Sequence, residues 1–135
     1  MAVAGSLSHF VHAGERMSLT TESRVQGTCV IVRVAGDYRS REEMFRVMEQ
    51  LKASADEHGC TQAIMDLSAA QGRTSDMDRY YLGEHAAQVF RGLKVAVVFP
   101  AEGITKFGEN VAVNRGARLA VVPSLEEAQR WLQKS

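Results

Sequence analysis

The sequence predicts an α/β fold: a single domain with one mainly parallel mixed sheet, an N-terminal antiparallel strand and four helices. Two observations carry this. Short apolar, β-branched runs alternate with segments whose apolar residues recur every 3.6 positions. Lys94 to Phe99 (KVAVVF) is apolar almost without interruption, which suits a strand covered on both faces, as in a parallel sheet. The 135 residues are the usual size of one domain, and no repeat, low-complexity tract or linker divides them.

Each element follows from local punctuation. Residues 1–16 are weakly patterned; Phe10 and Val11 would make a short extra strand or pack on the domain edge, or the stretch is an extension before a domain at 17–135. Met17 to Thr21 reads as a first strand, Gln26-Gly27 as a turn, and Thr28 to Val34 (TCVIVRV) as a second strand ended by Gly36-Asp37. Ser40 and Glu43 form a capping box, with the glutamate reaching back to the helix start. The helix after it places Met44, Val47, Met48, Leu51 and Ala55 on one stripe and ends at His58-Gly59. Gln62 to Leu67 (QAIMDL) is a strand, and Ser68 to Thr74, small and polar, a loop. Ser75, with Asp78 three residues on, starts a second helix with Leu82, Ala86, Val89 and Phe90 buried. After Lys94–Phe99, Ile104, Phe107 and Val111 mark a third helix, and Arg118 to Val122 (RLAVV) is the last strand. Ser124 with Glu127 caps a final helix that buries Leu125, Ala128 and Leu132.

Composition narrows the function. Apolar residues make up 45% and charged residues 24%, as in an ordinary globular domain. Sixteen basic and sixteen acidic residues cancel, so no net field draws the chain to nucleic acid or an anionic membrane. No run approaches the ~20 apolar residues of a membrane span. Met1 to Phe10 lacks the basic and apolar regions of a signal peptide, so a cytoplasmic location is expected. Cys29 and Cys60 lie in or beside apolar strands and read as buried free thiols.

Catalytic and cofactor chemistry finds no set of residues. His9, His12, His58 and His85 have no metal-ligand spacing, so neither metal nor other cofactor is expected. No phosphate loop follows Gly36, Gly103 or Gly108, and no nucleophile elbow is present. Glu84, His85 and the strand-end Asp66 are the remaining candidates for acid-base work; each also reads as an ordinary solvated, paired or loop-capping group, and no catalytic residue is assigned. The densest polar and aromatic patch is Arg73, Asp76, Asp78, Arg79, Tyr80 and Tyr81. Consecutive helix positions point about 100° apart, so one tyrosine is expected to face the core and the other solvent. An exposed tyrosine among arginines suits a protein contact.

The element order, with the stretches CVIVRVAG, QAIMDL, LKVAVVF, FGENVAVNRG and RLAVVPSLEEAQRWL, resembles the STAS domain. That domain is shared by anti-sigma-factor antagonists and the cytoplasmic tails of sulfate transporters. The closing stretch is similar to STAS-like relatives with lipid-binding cousins. The resemblance covers about Met17 to Leu132 and implies a bacterial-type, non-enzymatic regulatory or protein-interaction module. A small-ligand binder, for lipid or another apolar molecule, is the alternative. In the phospho-switched antagonists a serine opens the helix after the strand matching QAIMDL. Counting from Asp66, Ser75 takes that place, which makes it the candidate phospho-acceptor; Thr74, Asp76 and Met77 around it depart from the family motif. The interaction-surface candidates are Arg73, Arg79, Tyr80 and Tyr81. A partner protein is implied but not identified, and an edge strand and an exposed helix offer surface for a weak homodimer.

Overall fold

The structure is a computed structural model that describes residues 18–100 and 106–134. The stretch 1–16, with His9 and His12, and Ile104 lie outside the described residues. Five strands form one sheet in sequence order: β1 (Leu19–Gln26), β2 (Cys29–Asp37), β3 (Gln62–Gln71), β4 (Lys94–Val98) and β5 (Arg118–Val122). β1 and β2 form an antiparallel hairpin closed at Gln26↔Cys29; every later pairing is parallel. All five residues of β4 are buried, as a strand covered on both faces requires. The four helices are α1 (Arg41–Glu57), α2 (Asp76–Val89), α3 (Phe107–Asn114) and α4 (Leu125–Leu132).

Strand side chains alternate between the faces, and two cores result. Val30, Val32, Val34, Ala63, Met65, Val95 and Val97 meet helices α1, α2 and α3. Ile31, Ile64, Ala96 and Val98 meet α4 alone. The α1 stripe Met44, Val47, Met48, Leu51 and Ala55 is fully docked. On α2 the buried positions are Gly83, Ala86 and Ala87, with Phe90 at the cap and Leu82 and Val89 half-buried.

Several local expectations change. β3 runs four residues past Leu67, so Ser68 to Gln71 belongs to a strand. A bulge between Arg33 and Ala35 lets Ala69, Ala70 and Gln71 continue the pairing with β2. The capping box at α1 is half formed. Ser40 Oγ accepts from the Glu43 N–H at 3.2 Å, but the buried Glu43 carboxylate turns to β1, where it accepts from the Leu19 N–H at 2.8 Å and the Ser18 hydroxyl. It ties the sheet edge to the helix instead of closing the helix start. Gly36, at φ +111°, lies where a Cβ would meet the Ser18 carbonyl oxygen at 2.1 Å, so only glycine fits this strand end.

Helix α3 packs across α2. A Cβ on Gly83 would sit 2.5 Å from the Gly108 carbonyl oxygen and 3.0 Å from Val111, so the crossing depends on the missing side chain. From its first turn α3 also reaches the sheet edge. Glu109 accepts from the Val121 N–H at 2.6 Å, while Lys106, paired with Glu109 at 3.0 Å, donates to the Val121 carbonyl at 2.7 Å. The backbone N–H and C=O of one residue of edge strand β5 are thus satisfied by side chains in place of another strand.

Candidate functional site

The start of α2 stands at the carboxyl end of the parallel strands, where ligands and partners of open α/β sheets gather. Ser75 is its N-cap: the exposed hydroxyl accepts from the Asp78 N–H at 3.0 Å, satisfying one of the free donors of the first turn. The Asp78 carboxylate is held from the other side. Tyr38, on the link between β2 and α1, donates to it at 3.0 Å, and the Arg41 guanidinium lies 3.7 Å away. Burial, then the hydrogen bond to Asp78, pushes the Tyr38 hydroxyl above its ordinary pKa, so it remains a proton donor. Arg79 pairs with Asp76 at 3.2 Å. Arg73 is exposed on the loop leading into the helix.

Tyr80 and Tyr81 do not divide between core and solvent as the periodicity suggested. Tyr80 is half-buried at the edge of the α2–α3 packing. Its hydroxyl accepts from Arg115 at 2.9 Å, and the same guanidinium lies 5.2 Å from the ring centre. Tyr81 is 39% exposed, with Arg41 4.5 Å over its ring and Tyr80 edge-on at 5.2 Å. The core face of α2 belongs to glycine and alanine, which allow the close approach of α3 and leave no room for a ring. Met77, one turn before Tyr81 on the same face, is 58% exposed, the most open large apolar side chain among the described residues. The sequence reading missed Met77, Tyr38, Arg41 and Arg115. The Met77–Tyr81 spacing was a usable signal, while the other three reach the patch through tertiary contacts.

No protein-family model matches the chain, and no match was found among curated proteins. Among solved structures, the chain is similar to an anti-sigma factor antagonist from Mycobacterium paratuberculosis. The likeness has a TM-score of 0.60 at 17% identity and spans 89% of this chain and 98% of that one. The fold is STAS-like. At that identity the likeness establishes the fold, and it lends the small-ligand alternative no support.

The other candidates of this STAS-like domain do not converge. Glu84 lies 3.8 Å from Arg115. His85 stacks on Phe45 at 4.0 Å and meets Glu49 at 3.0 Å, which joins α2 to α1. Asp66 is not at a strand end but within β3, beside the bulge, where its carboxylate accepts from the backbone and the hydroxyl of Ser68 at 3.0 and 2.7 Å. His58 Nδ1 sits 2.9 Å from the Ser54 carbonyl at the end of α1. Among the described residues, no three His, Cys, Asp or Glu gather as a metal would need, and no helix is long and apolar enough to cross a membrane. Both cysteines are free; Cys60 is buried, but Cys29 is only half-buried, because it begins β2 at the sheet's amino end. Burial first, then the neighbouring Cys60, pushes the Cys29 thiol up to about 11, and burial raises Cys60 as well. Neither is thiolate at neutral pH, so neither is an activated nucleophile.

Proposed function

We propose that this STAS-like chain is a non-enzymatic regulatory module of the cytoplasm that binds a partner protein through the first two turns of α2, with Ser75 as a phospho-acceptor beside the contact. The carrying observation is the exposed apolar pair Met77 and Tyr81, with Arg41 over the Tyr81 ring and the exposed Ser75 at the start of the same helix. Apolar and aromatic groups beside an arginine make a protein-contact surface. The solved neighbour's description, an anti-sigma factor antagonist, supports this reading and makes an anti-sigma-factor-type protein the first partner to test. Free thiols fit a reducing compartment.

A phosphate on Ser75 would stand at the positive end of the α2 dipole. It would cost the cap hydrogen bond to Asp78 and face two carboxylates, of which Asp76 already neutralises Arg79. Arg79 would have to exchange Asp76 for the phosphate, with the exposed Arg73 as second cation. The switch therefore changes surface charge while the fold stays.

The test starts with capture of a partner by the parent chain, followed by purification of both. Binding is then compared for the parent, Ser75→Ala, Ser75→Asp and Met77→Glu. Met77→Glu should abolish binding, Ser75→Asp should weaken it, and Ser75→Ala should bind normally while losing about 1 kcal/mol of stability with its cap. Parent-like binding by both Met77→Glu and Ser75→Asp would overturn the proposal. The solution mass of the parent alone reads out a homodimer.

A further inference from the structure

The three-helix side of the sheet is not filled. A cavity of about 170 Å³ lies between the carboxyl halves of β3, β4 and β5 and the helices α1, α2 and α3. Protein interiors leave few voids larger than a water molecule, and an apolar hole of roughly 150 Å³ takes up benzene. This one has the volume of a ring-sized guest. Exposed Gln71, Gly72 and Lys106 are among its lining residues, so it reaches the surface and a guest has a way in.

The wall is made largely of Met44, Met48, Met65, Leu82, Phe90 and Val97. Thioethers on flexible stems adapt to guests of different outline and make favourable contacts with aromatic rings. Such a wall offers water too few partners to hold it.

The charges at the mouth decide the chemical class. Arg79 is engaged by Asp76 at 3.2 Å. Lys106 is engaged by Glu109 at 3.0 Å and the Val121 carbonyl at 2.7 Å, and the Tyr38 hydroxyl by Asp78 at 3.0 Å. An anionic head group would have to break one of these pairs or enter unpaired, and an unpaired charge in an apolar wall is expensive. Thr74 and Gln71 bring the remaining uncharged polar side chains of the lining, a hydroxyl and an amide.

We propose that this cavity is a binding site for a small uncharged apolar molecule of about one ring, with at most one hydrogen-bonding group, met by Thr74 or Gln71. The site lies apart from the Met77–Tyr81 surface of α2, although Arg79 at its mouth is also the cation that a Ser75 phosphate would take; partner binding by Met77→Glu and toluene binding by Ala86→Leu are read separately, so loss of either function leaves the other testable.

The test uses the full chain with carbon-13-labelled methionine methyl groups and toluene as probe. Toluene should shift the methyls of Met44, Met48 and Met65 saturably, leave the exposed Met77 methyl in place, and raise the thermal midpoint. Benzoate, the same ring with a carboxylate, should bind at least about tenfold more weakly, because its charge must be desolvated. Ala86→Leu, which fills the cavity from α2, should abolish the toluene shifts; Ala70→Leu fills it from the half-buried end of β3 should the first variant not fold. Three unmoved wall methyls, or a Met77 methyl that moves with them in parallel, would overturn the site. Equal binding of benzoate would overturn the uncharged class. Toluene shifts that survive in a folded cavity-filling variant would overturn the location.

Discussion

The two faces of the sheet are covered in different ways. On one, three helices bury a large cluster that includes Met44, Met48 and Met65 and still leaves a cavity. On the other, the eight residues of α4 bury Ala128 and Leu132 against Ile31, Ile64, Ala96 and Val98, with little area but firm polar anchors. Lys94 Nζ donates to the carbonyls of Trp131 at 3.1 Å and Leu132 at 3.3 Å, reaches that of Lys134, and lies 4.7 Å from the Trp131 ring centre. Gln62 donates to the Leu132 carbonyl at 2.8 Å. The last carbonyls of a helix lack partners within it, and here the sheet supplies them. Burial, then the charges of Arg118 and Lys134, pushes the Lys94 ammonium below its ordinary pKa. The difference teaches that the proposed docking surface and the cavity both lie on the three-helix side, while the other face is closed by α4 and its polar anchors.

The largest expected effect tests the area difference. Leu51, fully buried on the three-helix side, should cost about 2–5 kcal/mol when cut to alanine, read by denaturant unfolding. Leu132→Ala on the other side should act locally: hydrogen exchange should show α4 amides losing protection while α1 keeps its own. If α1 loosens with α4, the two faces are one cooperative unit and the contrast fails.

The next effect concerns the α2–α3 crossing. Gly→Ala in a helix interior normally stabilises by up to about 1 kcal/mol. At Gly83 the added methyl meets the Gly108 carbonyl, so Gly83→Ala should destabilise by about 1–3 kcal/mol as overpacking. A gain in stability would mean that α3 does not pack there.

The α4 anchor should be worth about as much or somewhat less. Lys94→Met keeps the length of the side chain but removes the ammonium's bonds to the carbonyls of Trp131, Leu132 and Lys134, leaving Gln62 as the sheet's remaining side-chain donor to the Leu132 carbonyl. A loss of about 1–3 kcal/mol is expected, with fraying of α4 visible in the fluorescence of Trp131. A neutral outcome would assign the hold on α4 to Leu132, Ala128 and the Gln62 bond.

The smallest effect is at the amino end of the sheet, where Cys29 joins the α4-side cluster from its edge. Its thiol is raised from 9.0 to about 11. The folded chain therefore keeps a proton that the unfolded chain releases above 9, and the stability this contributes is complete below pH 9 and is lost as pH rises toward 11. Alkylation of Cys29 should be slow at pH 7 and climb with a midpoint near 11. A midpoint at the ordinary 9 would mean the edge is open to water.

Much of this was legible from local signals. Ser40, Ser75 and Ser124 each cap the helix they were read to start, because the hydroxyl-to-backbone bond spans only three residues. Lys94–Val98 was legible because an unbroken apolar run has few other uses. The end of β3 was not: Ser68 to Gln71 looks like a loop, and only pairing with β2 past the bulge makes it a strand. Glu43 was read as a helix-start residue because the distant Leu19 N–H that claims it is invisible to local spacing. Ser75 at its helix start is legible by counting from Asp66, but its setting, with Asp78 held by Tyr38 and Arg41, joins residues 37 to 40 positions apart.

The sequence by itself determined the order of elements, the α/β class and the stripes of α1 and α4, since these follow from periodicity and caps within a few residues. Tertiary structure alone decided which face each helix covers, that neither Tyr80 nor Tyr81 enters the core, that α3 rides on Gly83, and that a cavity stays open under α2. Those outcomes depend on how close two elements approach, and that distance is set by side chains far apart in the chain whose volumes must fit together.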